Sequence, residues 1–428
     1  MAAGLRFDWR PILALVAGLL LLPGAPAAAV RDVRTGAERI LDGSWPQPHG
    51  LKVGLVTHGA AVTRAGERDV EALVARGPWQ VVRLFTPEHG LDAALQGRIQ
   101  DGQVEMSTPE GTRSLPIRSL YGARLKPVAE DLAGLDALVF DLQDVGARFY
   151  TYGSTLKKVM EAAAEHGLRT IVLDRPNPLG GEVLEGGVLD PAFLSFTGPA
   201  AVAVRHGLTL GELARWFHGT IGGNLEVVPV AGLQRRDMWQ DLDRTWTAPS
   251  PAMTSLESAW LYPGACFFEA TSVDVRVGDR PFTTWAAPWL DARGLAAHLA
   301  ALGLPGVVVS ARIMPVGTSR TRDLWERPEG PRTLGRTGGT APFPAVVLEV
   351  TDPRTFRPVA LAVHALVWIR QHHAASMALE PKGFDRMAGT DRLRLGLLEG
   401  RDARSLLADW TSGLNGHEPS WRKVHIYR

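Results

Sequence analysis

The chain has 428 residues, a formal net charge of +1 and hydrophobic residues at 45% of its positions, which is enough for one large or two ordinary hydrophobic cores. The near-neutral charge and the lack of a long basic run argue against a nucleic-acid-binding protein. Cys266 is the only cysteine, so an internal disulfide is excluded.

The first 29 residues have the pattern of a secretory signal peptide. Arg6 and Arg10 precede an apolar stretch of about a dozen residues, and the small-residue sequence APAAA follows it. That stretch is too short, and too soon interrupted by Pro23, for a comfortable membrane span. We expect cleavage near Ala29, a periplasmic or secreted protein and no stable membrane span after cleavage. An uncleaved anchor is the alternative.

Short apolar runs rich in β-branched residues predict parallel strands that are buried on both faces. The first is KVGLVT, which ends just before His58. The three that follow are VVRLF at 81–85, ALVFD at 137–141 and TIVLD at 170–174. Helices are predicted at 66–76 and from Ser154 to Gly167, and the second helix completes a β-α-β unit.

Acidic residues follow or end the last three of these strands. The carboxyl ends of parallel strands share one crevice. We therefore expect Glu88, Asp141, Asp144 and Asp174 to converge there.

The stretch from Leu91 to Gly122 lacks periodicity and is rich in Gly, Pro and polar residues. A loop of that length inside a compact domain is often a lid or a substrate wall. A surface excursion without function is the alternative.

The remaining sequence predicts the rest of an α/β protein. Thr209 and Glu212 have the spacing of a capping box at a helix start, and 225–230 is the next strand. We place a Rossmann-like parallel-sheet domain at 30–235 and a smaller α/β or α+β C-terminal domain at 236–428. The elements expected in the second domain are strands at 307–312 and 345–350 and helices around 355–371 and 393–409.

The carboxyl groups suggest hydrolysis of a glycosidic bond, which commonly needs one proton donor and one base or nucleophile. Glu88 is the leading acid, and its neighbour His89 could orient it or move a proton. Asp144, Asp174 and Glu185 are candidates for the second group.

The other strand-end acids favour structural roles. Arg175 is expected to pair with Asp174, and Asp141 could satisfy backbone donors in the next turn. For every strand-end acid, local hydrogen bonding is the alternative to catalysis.

Aromatic residues strengthen the case for a sugar site. Phe149, Tyr150 and Tyr152 follow Arg148, and a sugar site needs rings for the apolar sugar face and a guanidinium for an acidic substituent. Aromatic residues of the core at a helix start are the alternative.

Other chemistries find little support. The sequence has no G-x-S-x-G elbow, no H-E-x-x-H motif and no Gly-rich phosphate loop after the first strand. Histidines 58, 89 and 206 could meet as metal ligands, but a single histidine at such a position more often makes hydrogen bonds. We expect no metal and no cofactor. Nothing in the pattern sets an oligomeric state.

Several longer motifs resemble those of the NamZ-type exo-β-N-acetylmuramidases, glycoside hydrolases once catalogued as a domain of unknown function. The resemblance covers nearly the whole mature chain. The motifs are LFTPEHG (84–90), SLYG (119–122), FDLQDVGARFYTY (140–152), LDRPNPLGG (173–181), VRHGLTLGELA (204–214), APSPAM (248–253), YPGACFFEAT (262–271) and RPFTTWAAPWLD (280–291).

This resemblance implies a Rossmann-like domain joined to a smaller one, and release of a terminal N-acetylmuramic acid from peptidoglycan fragments. The partner would be a peptidoglycan-derived sugar or muropeptide. Glu88 carries over as the general acid, with Glu185 as the choice for the second group. The lactyl carboxylate of the sugar needs a cation. Its candidates are Arg148, Arg175, Arg205 and Arg280. The other substrate contacts expected from the matching motifs are His89, Tyr150, Tyr152, Asn177, His206, Ser250 and Glu269.

The chain departs from the family pattern on one side of the site. Ala252 replaces the Asn of PSPN, and the EGTN…GRGT run becomes EATSVDVRVGD, with Ala270, Ser272 and Asp274 substituted. Losing two amides removes groups that could hold a sugar hydroxyl or acetamido group. A related sugar is therefore an alternative substrate, and an exported sugar-binding protein without turnover is the alternative function.

Overall fold

A large, mostly parallel sheet forms the centre of the first part of the chain. The computed structural model describes residues 31–95, 99–108, 110–315 and 342–428, so the predicted signal peptide at 1–29 lies outside the described residues. The strands are β1 (Lys52–Thr57), β2 (Gln80–Thr86), β3 (Gly102–Thr108), β4 (Gly111–Ser119), β5 (Ala137–Asp141), β6 (Arg169–Leu173) and β7 (Asn224–Val228). The helices are α1 (Gly36–Leu41), α2 (Asp69–Arg76), α3 (Ala129–Leu132), α4 (Tyr152–Glu165) and α5 (Leu210–Ile221).

The strand order of this sheet is β3-β4-β2-β1-β5-β6-β7, and every neighbouring pair is parallel except β3 and β4. From β1 the chain moves to β2 on one side and later to β5 on the other. Ligands of open α/β sheets bind beside the carboxyl ends of the strands at such a switch point. The predicted Rossmann-like fold class is confirmed, and the residues after β1, β2 and β5 lie at its ligand-binding edge.

The stretch 91–122 contains more structure than its sequence indicated. Strands β3 and β4 form an antiparallel hairpin, and β4 pairs with β2 in parallel. The expectation of an aperiodic loop throughout was wrong. Met106 and Leu115 are the buried apolar residues of these strands, and most of their neighbours are exposed or half-buried. The alternation of apolar and polar residues is therefore weak there. Positions 96–98 and 109 of this stretch lie outside the described residues.

Two predicted helix ends are confirmed. Thr209 caps α5 by accepting from the Glu212 main-chain NH, and the Glu212 carboxylate accepts from Thr209 in return. Gly167, with φ of +68°, follows the last turn of α4, where a left-handed residue commonly ends a helix.

The second part of the chain packs helices around a three-stranded antiparallel sheet of order β8-β10-β9. Its elements are α6 (Leu256–Ala265), β8 (Thr284–Ala286), α7 (Ala292–Ala301), β9 (Val307–Met314), β10 (Phe343–Val350), α8 (Pro358–His372), α9 (Pro381–Ala388), α10 (Arg392–Leu398), α11 (Ala403–Thr411) and α12 (Leu414–Lys423).

Both strands predicted for this part are confirmed, whereas the helix expected around 393–409 is two helices, α10 and α11. Gly400, with φ of +76°, lies between them and takes a backbone conformation that a continuous α-helix does not contain. Contacts join Val33–Arg428 into one unit, and the boundary placed near residue 236 stays a prediction. Within the described ranges, every helix is too short or too polar to cross a membrane.

Candidate active site

Glu88 lies two residues beyond the end of β2 and is half-buried. The Thr151 hydroxyl, just before α4, donates a 2.8 Å hydrogen bond to Oε2 of Glu88. His89 and Gly90 follow with φ values of +76° and +72°. A left-handed histidine is uncommon and costs about 1 kcal/mol or more. This tight turn and Thr151 together fix the position of the Glu88 carboxyl.

His89 is held in one tautomer. Its Nδ1 lies 2.8 Å from the carbonyl oxygen of Leu95, and a carbonyl can only accept, so Nδ1 carries the proton. Burial lowers the pKa of His89, although the neighbouring Glu88 opposes this effect. A neutral ring with Nε2 as its acceptor results, which suits a hydrogen bond from a sugar hydroxyl.

Tyr152 joins the ends of three chain segments. Its hydroxyl donates to the carbonyl of Pro249 at 2.7 Å and lies 3.3 Å from the carbonyl of Glu88. The Nδ1 atom of His58, just after β1, is 3.4 Å from the same hydroxyl. His58 Nε2 accepts from the main chain of Gln143 at 2.9 Å. Tyr152 therefore connects β1, β2, α4 and the segment 248–250 at the switch point.

Tyr150 presents an unsatisfied polar group at this place. Its ring packs against that of Tyr152 at 4.7 Å, and its buried hydroxyl has no partner of ordinary hydrogen-bond geometry among the described residues. Burial raises the pKa of Tyr150, and the charges of Asp144 and Glu88 raise it further, while Ser250 is near enough to oppose them. Asp144 and Glu88 are thus both near enough to affect the pKa of the Tyr150 hydroxyl, and Ser250 lies beside it.

Replacing Tyr150 with phenylalanine tests whether that hydroxyl serves a ligand. A buried hydroxyl without a partner contributes no net stability, so the melting temperature should stay the same or rise. Activity on a muramic acid glycoside should fall about 10-fold if the hydroxyl binds the substrate. Thermal melts and kcat/KM measured on the same preparation check this. A large loss of stability with unchanged activity would contradict the assignment.

Asp144 is the second carboxyl of the site, and 8% of its side chain is exposed. Burial raises its pKa to about 7, although the Gly146 main-chain NH donates to Oδ2 at 2.8 Å. His206 Nε2 lies 3.8 Å from the same oxygen. Burial, assisted by Arg148, lowers the pKa of His206 to about 3. The contact is therefore between a carboxyl and a neutral imidazole, and not an ion pair at neutral pH.

Two of the other acids bind side chains that the sequence did not indicate. Arg175 was expected to pair with Asp174, but its guanidinium binds Asp141 at 2.7 Å and also Asp69. Asp141 was expected to bind backbone donors, so both expectations were wrong. Asp174 accepts from the hydroxyls of Thr209 and Tyr427 and is structural, as expected, but with different partners.

Glu185 caps a helix. Its Oε1 accepts from the main-chain NH groups of Val359 and Ala360 at 2.7 and 3.0 Å, at the start of α8. Burial raises its pKa, and the charge of Arg205 opposes the rise. Oε1 of Glu185 thus serves the N-terminus of α8. Asp144, and not Glu185, is the acid that acts on Tyr150 together with Glu88, and we take it as the partner of Glu88.

The four arginines predicted to bind the substrate carboxylate have other partners. Arg148 is buried and donates to the carbonyls of Gly187, Val202 and Met387. Arg205 donates to the carbonyl of Leu179. Arg280 is 56% exposed and pairs with Glu257. With Arg175 bound to two aspartates, each of the four has a protein partner, and their role as a substrate clamp stays a prediction.

Asn177 also serves its own segment, since it donates to the carbonyl of Leu208 at 3.0 Å and accepts from Leu179 at 2.9 Å. Glu269 binds Arg276, whose Nε lies 2.6 Å from Oε1. No group of three or more His, Cys, Asp and Glu side chains within the described ranges has a metal-binding arrangement.

Sequence reasoning missed Thr151 and Arg276. Thr151 lies inside FDLQDVGARFYTY, in which the aromatic residues and not the threonine indicated a sugar site. Arg276 lies in the stretch that departs from the family pattern, so no motif pointed to it. The catalytic roles of Glu88 and Asp144 stay predictions.

Comparison with known proteins identifies the family. The N-terminal family model of the exo-β-N-acetylmuramidase NamZ matches residues 53–257, and the C-terminal model matches 260–427. The chain is 31% identical to peptidoglycan β-N-acetylmuramidase NamZ of Bacillus subtilis, over 98% of this chain and 100% of that protein.

Two crystal structures of DUF1343 family proteins from Bacteroides fragilis are also similar. One is 27% identical with a TM-score of 0.80, covering 92% of this chain and 99% of that one. The other, 22% identical with a TM-score of 0.67 over 93% of this chain and 99% of that one, supports the fold. With both family models matched in order along most of its length, the chain belongs to the exo-β-N-acetylmuramidase NamZ family.

Proposed function

We propose that this chain is an exo-acting β-N-acetylmuramidase that releases a terminal N-acetylmuramic acid from peptidoglycan fragments. The observation that carries the proposal is the position of Glu88 and Asp144, which follow strands on either side of β1 and both act electrostatically on the buried Tyr150 hydroxyl. Two carboxyls at the ligand-binding edge of an α/β sheet are what glycoside hydrolysis requires.

Glu88 donates its proton to the glycosidic oxygen as the bond to the anomeric carbon breaks. Asp144, whose pKa of about 7 suits proton transfer near neutral pH, serves the anomeric carbon as base or nucleophile. Water supplies the hydroxyl of the released sugar.

The surrounding groups bind the sugar. Tyr150 offers a hydroxyl without a protein partner in the described ranges, and Tyr152 is fully buried and packs against its ring. Nε2 of His89 accepts from a sugar hydroxyl. The signal-peptide pattern supports export to the periplasm or beyond, where peptidoglycan lies. A mature protein that starts at Val30 or Arg31 is the measurable consequence of that export.

Two disaccharides test the proposed reaction. The protein should release N-acetylmuramic acid from a disaccharide that carries this sugar at its non-reducing end, and should leave the reverse disaccharide intact. Chromatography of the products, with a heat-inactivated sample as control, measures the release. Binding of the first disaccharide without any turnover would contradict the proposal and would instead support a binding protein.

A further inference from the structure

The substrate of the proposed reaction carries a lactyl carboxylate that has no assigned receptor. N-acetylmuramic acid differs from N-acetylglucosamine by this group, so an enzyme that selects the first sugar needs a cation or directed donors for it. Arg148, Arg175, Arg205 and Arg280 bind other groups. A further cation near the site is therefore a candidate for the receptor.

Arg276 has the required free donor. Its Nε and Nη2 both bind Oε1 of Glu269, so the carboxylate occupies one side of the guanidinium. Nη1 has no hydrogen-bond partner in the described ranges and is not fully buried. Of the Arg276 side chain, 20% is exposed to solvent. Nη1 of the guanidinium is thus accessible to a ligand.

Arg276 is also connected to the site of Glu88 and Tyr150. Its guanidinium carbon lies 5.6 Å from the ring centre of Phe282. The Phe282 ring is 4.9 Å from that of Tyr262, which is 6.0 Å from that of Tyr150. On the other side, the positive charge of Arg276 contributes to the lowered pKa of His89. Arg276 is therefore linked to Tyr150 through two intervening rings and lies near enough to His89 to affect its pKa.

We propose that Nη1 of Arg276 receives the lactyl carboxylate and makes the enzyme selective for N-acetylmuramic acid over N-acetylglucosamine. This inference rests on the proposed function. Glu269 acts as a positioning residue, because its bonds to Nε and Nη2 turn Nη1 outward. The stretch 270–279, which departs from the family pattern, lacks the amides but contains this cation.

Three chromogenic β-glycosides test the proposal: that of N-acetylmuramic acid, that of its lactyl methyl ester and that of N-acetylglucosamine. The ester keeps the shape of the lactyl group but removes its charge. Wild-type kcat/KM should be about 10- to 100-fold higher for the free acid than for the ester, the range expected for a charge-assisted hydrogen bond. The glucosamine glycoside should be a similarly poor substrate.

The variant Arg276→Met should reduce the ratio of acid to ester to about 1, and Arg276→Lys should restore part of it. Arg394→Met is the matched control. Arg394 forms a half-buried pair with Asp385 in the same part of the chain, with 17% of its side chain exposed, and its loss should leave the ratio unchanged.

Discrimination retained by a folded Arg276→Met variant would overturn the inference, and so would a wild type that treats acid and ester alike. If the variant fails to fold, the wild-type comparison decides. If wild type hydrolyses none of the glycosides, the proposed function fails separately. Calorimetric binding of free N-acetylmuramic acid and its methyl ester then tests the receptor alone, with equal affinities counting against it.

Discussion

Replacing Glu88 with glutamine is expected to lower kcat/KM on the disaccharide by about 10³-fold, within the usual range for loss of a general acid. Glutamine has the same shape and its amide oxygen can still accept from Thr151, which lies 2.8 Å from the carboxylate. Ligand affinity should therefore change little. Steady-state kinetics and calorimetry with the product sugar measure the two effects separately.

The leaving group makes this experiment specific for proton donation. A nitrophenolate leaves with little help from an acid, whereas a sugar alkoxide needs a proton. The Glu88→Gln variant should lose much less activity on a nitrophenyl glycoside than on the disaccharide. Glu182→Gln, at an exposed position, is the control. Equal losses on both substrates would assign Glu88 another role.

The second large effect is expected from Asp144. Burial raises the pKa of this carboxyl from 3.8 to about 7. As a base or nucleophile it must be ionised, so its ionisation should appear as a limb of the pH profile in which kcat/KM rises with pH up to about 7. Asp144→Asn should lose activity about 10²- to 10⁴-fold and should abolish this limb of the pH profile. If the limb that Asp144→Asn removes falls with rising pH and does not rise, Asp144 is the proton donor.

The same substitution should change stability in the opposite direction. Because the folded-state pKa lies above the unfolded value, folding favours the protonated form. That contribution is complete below about pH 4 and is lost as the pH rises to about 7. The loss corresponds to about 4 kcal/mol at most. An asparagine cannot ionise, so the variant should be more stable than wild type at pH 8.

Denaturant unfolding at pH 4 and pH 8 measures this change, and the difference between wild type and Asp144→Asn isolates the one group from all others. Asp409→Asn, at a surface position, should show no such difference. An inactive but stabilised variant would mark Asp144 as a residue kept for function at the expense of stability.

The sheet could be predicted because its signals are local. Each buried strand is a short apolar run, and the capping box of Thr209 and Glu212 spans four residues. The β3–β4 hairpin was missed because most of its side chains are polar and only Met106 and Leu115 are buried apolar residues, so its strands show no clear apolar alternation. The parallel pairing followed from the same apolar runs, whereas the order of the strands in the sheet was not predicted.

The ion pairs could not be predicted because their partners are far away in sequence. Arg175 adjoins Asp174, but consecutive side chains leaving a strand point in opposite directions, so its guanidinium reaches Asp141 and Asp69 instead. Arg148 and Glu185 bind main-chain groups of the second part of the chain, and a main-chain partner leaves no trace in a sequence. The presence of an arginine in a motif therefore did not show which group its guanidinium binds.

The anchors formed by Arg148 and Glu185 have a consequence for evolution and engineering. Both recognise peptide groups, namely the carbonyl of Met387 and the NH groups of Val359 and Ala360, so docking of the second part tolerates many changes in its side chains. The stretch 270–279 around Arg276 can therefore change in sequence while the strands that carry Glu88 and Asp144 keep their positions. Loop grafts at 270–279 are accordingly a rational way to obtain muramidases with altered sugar preference.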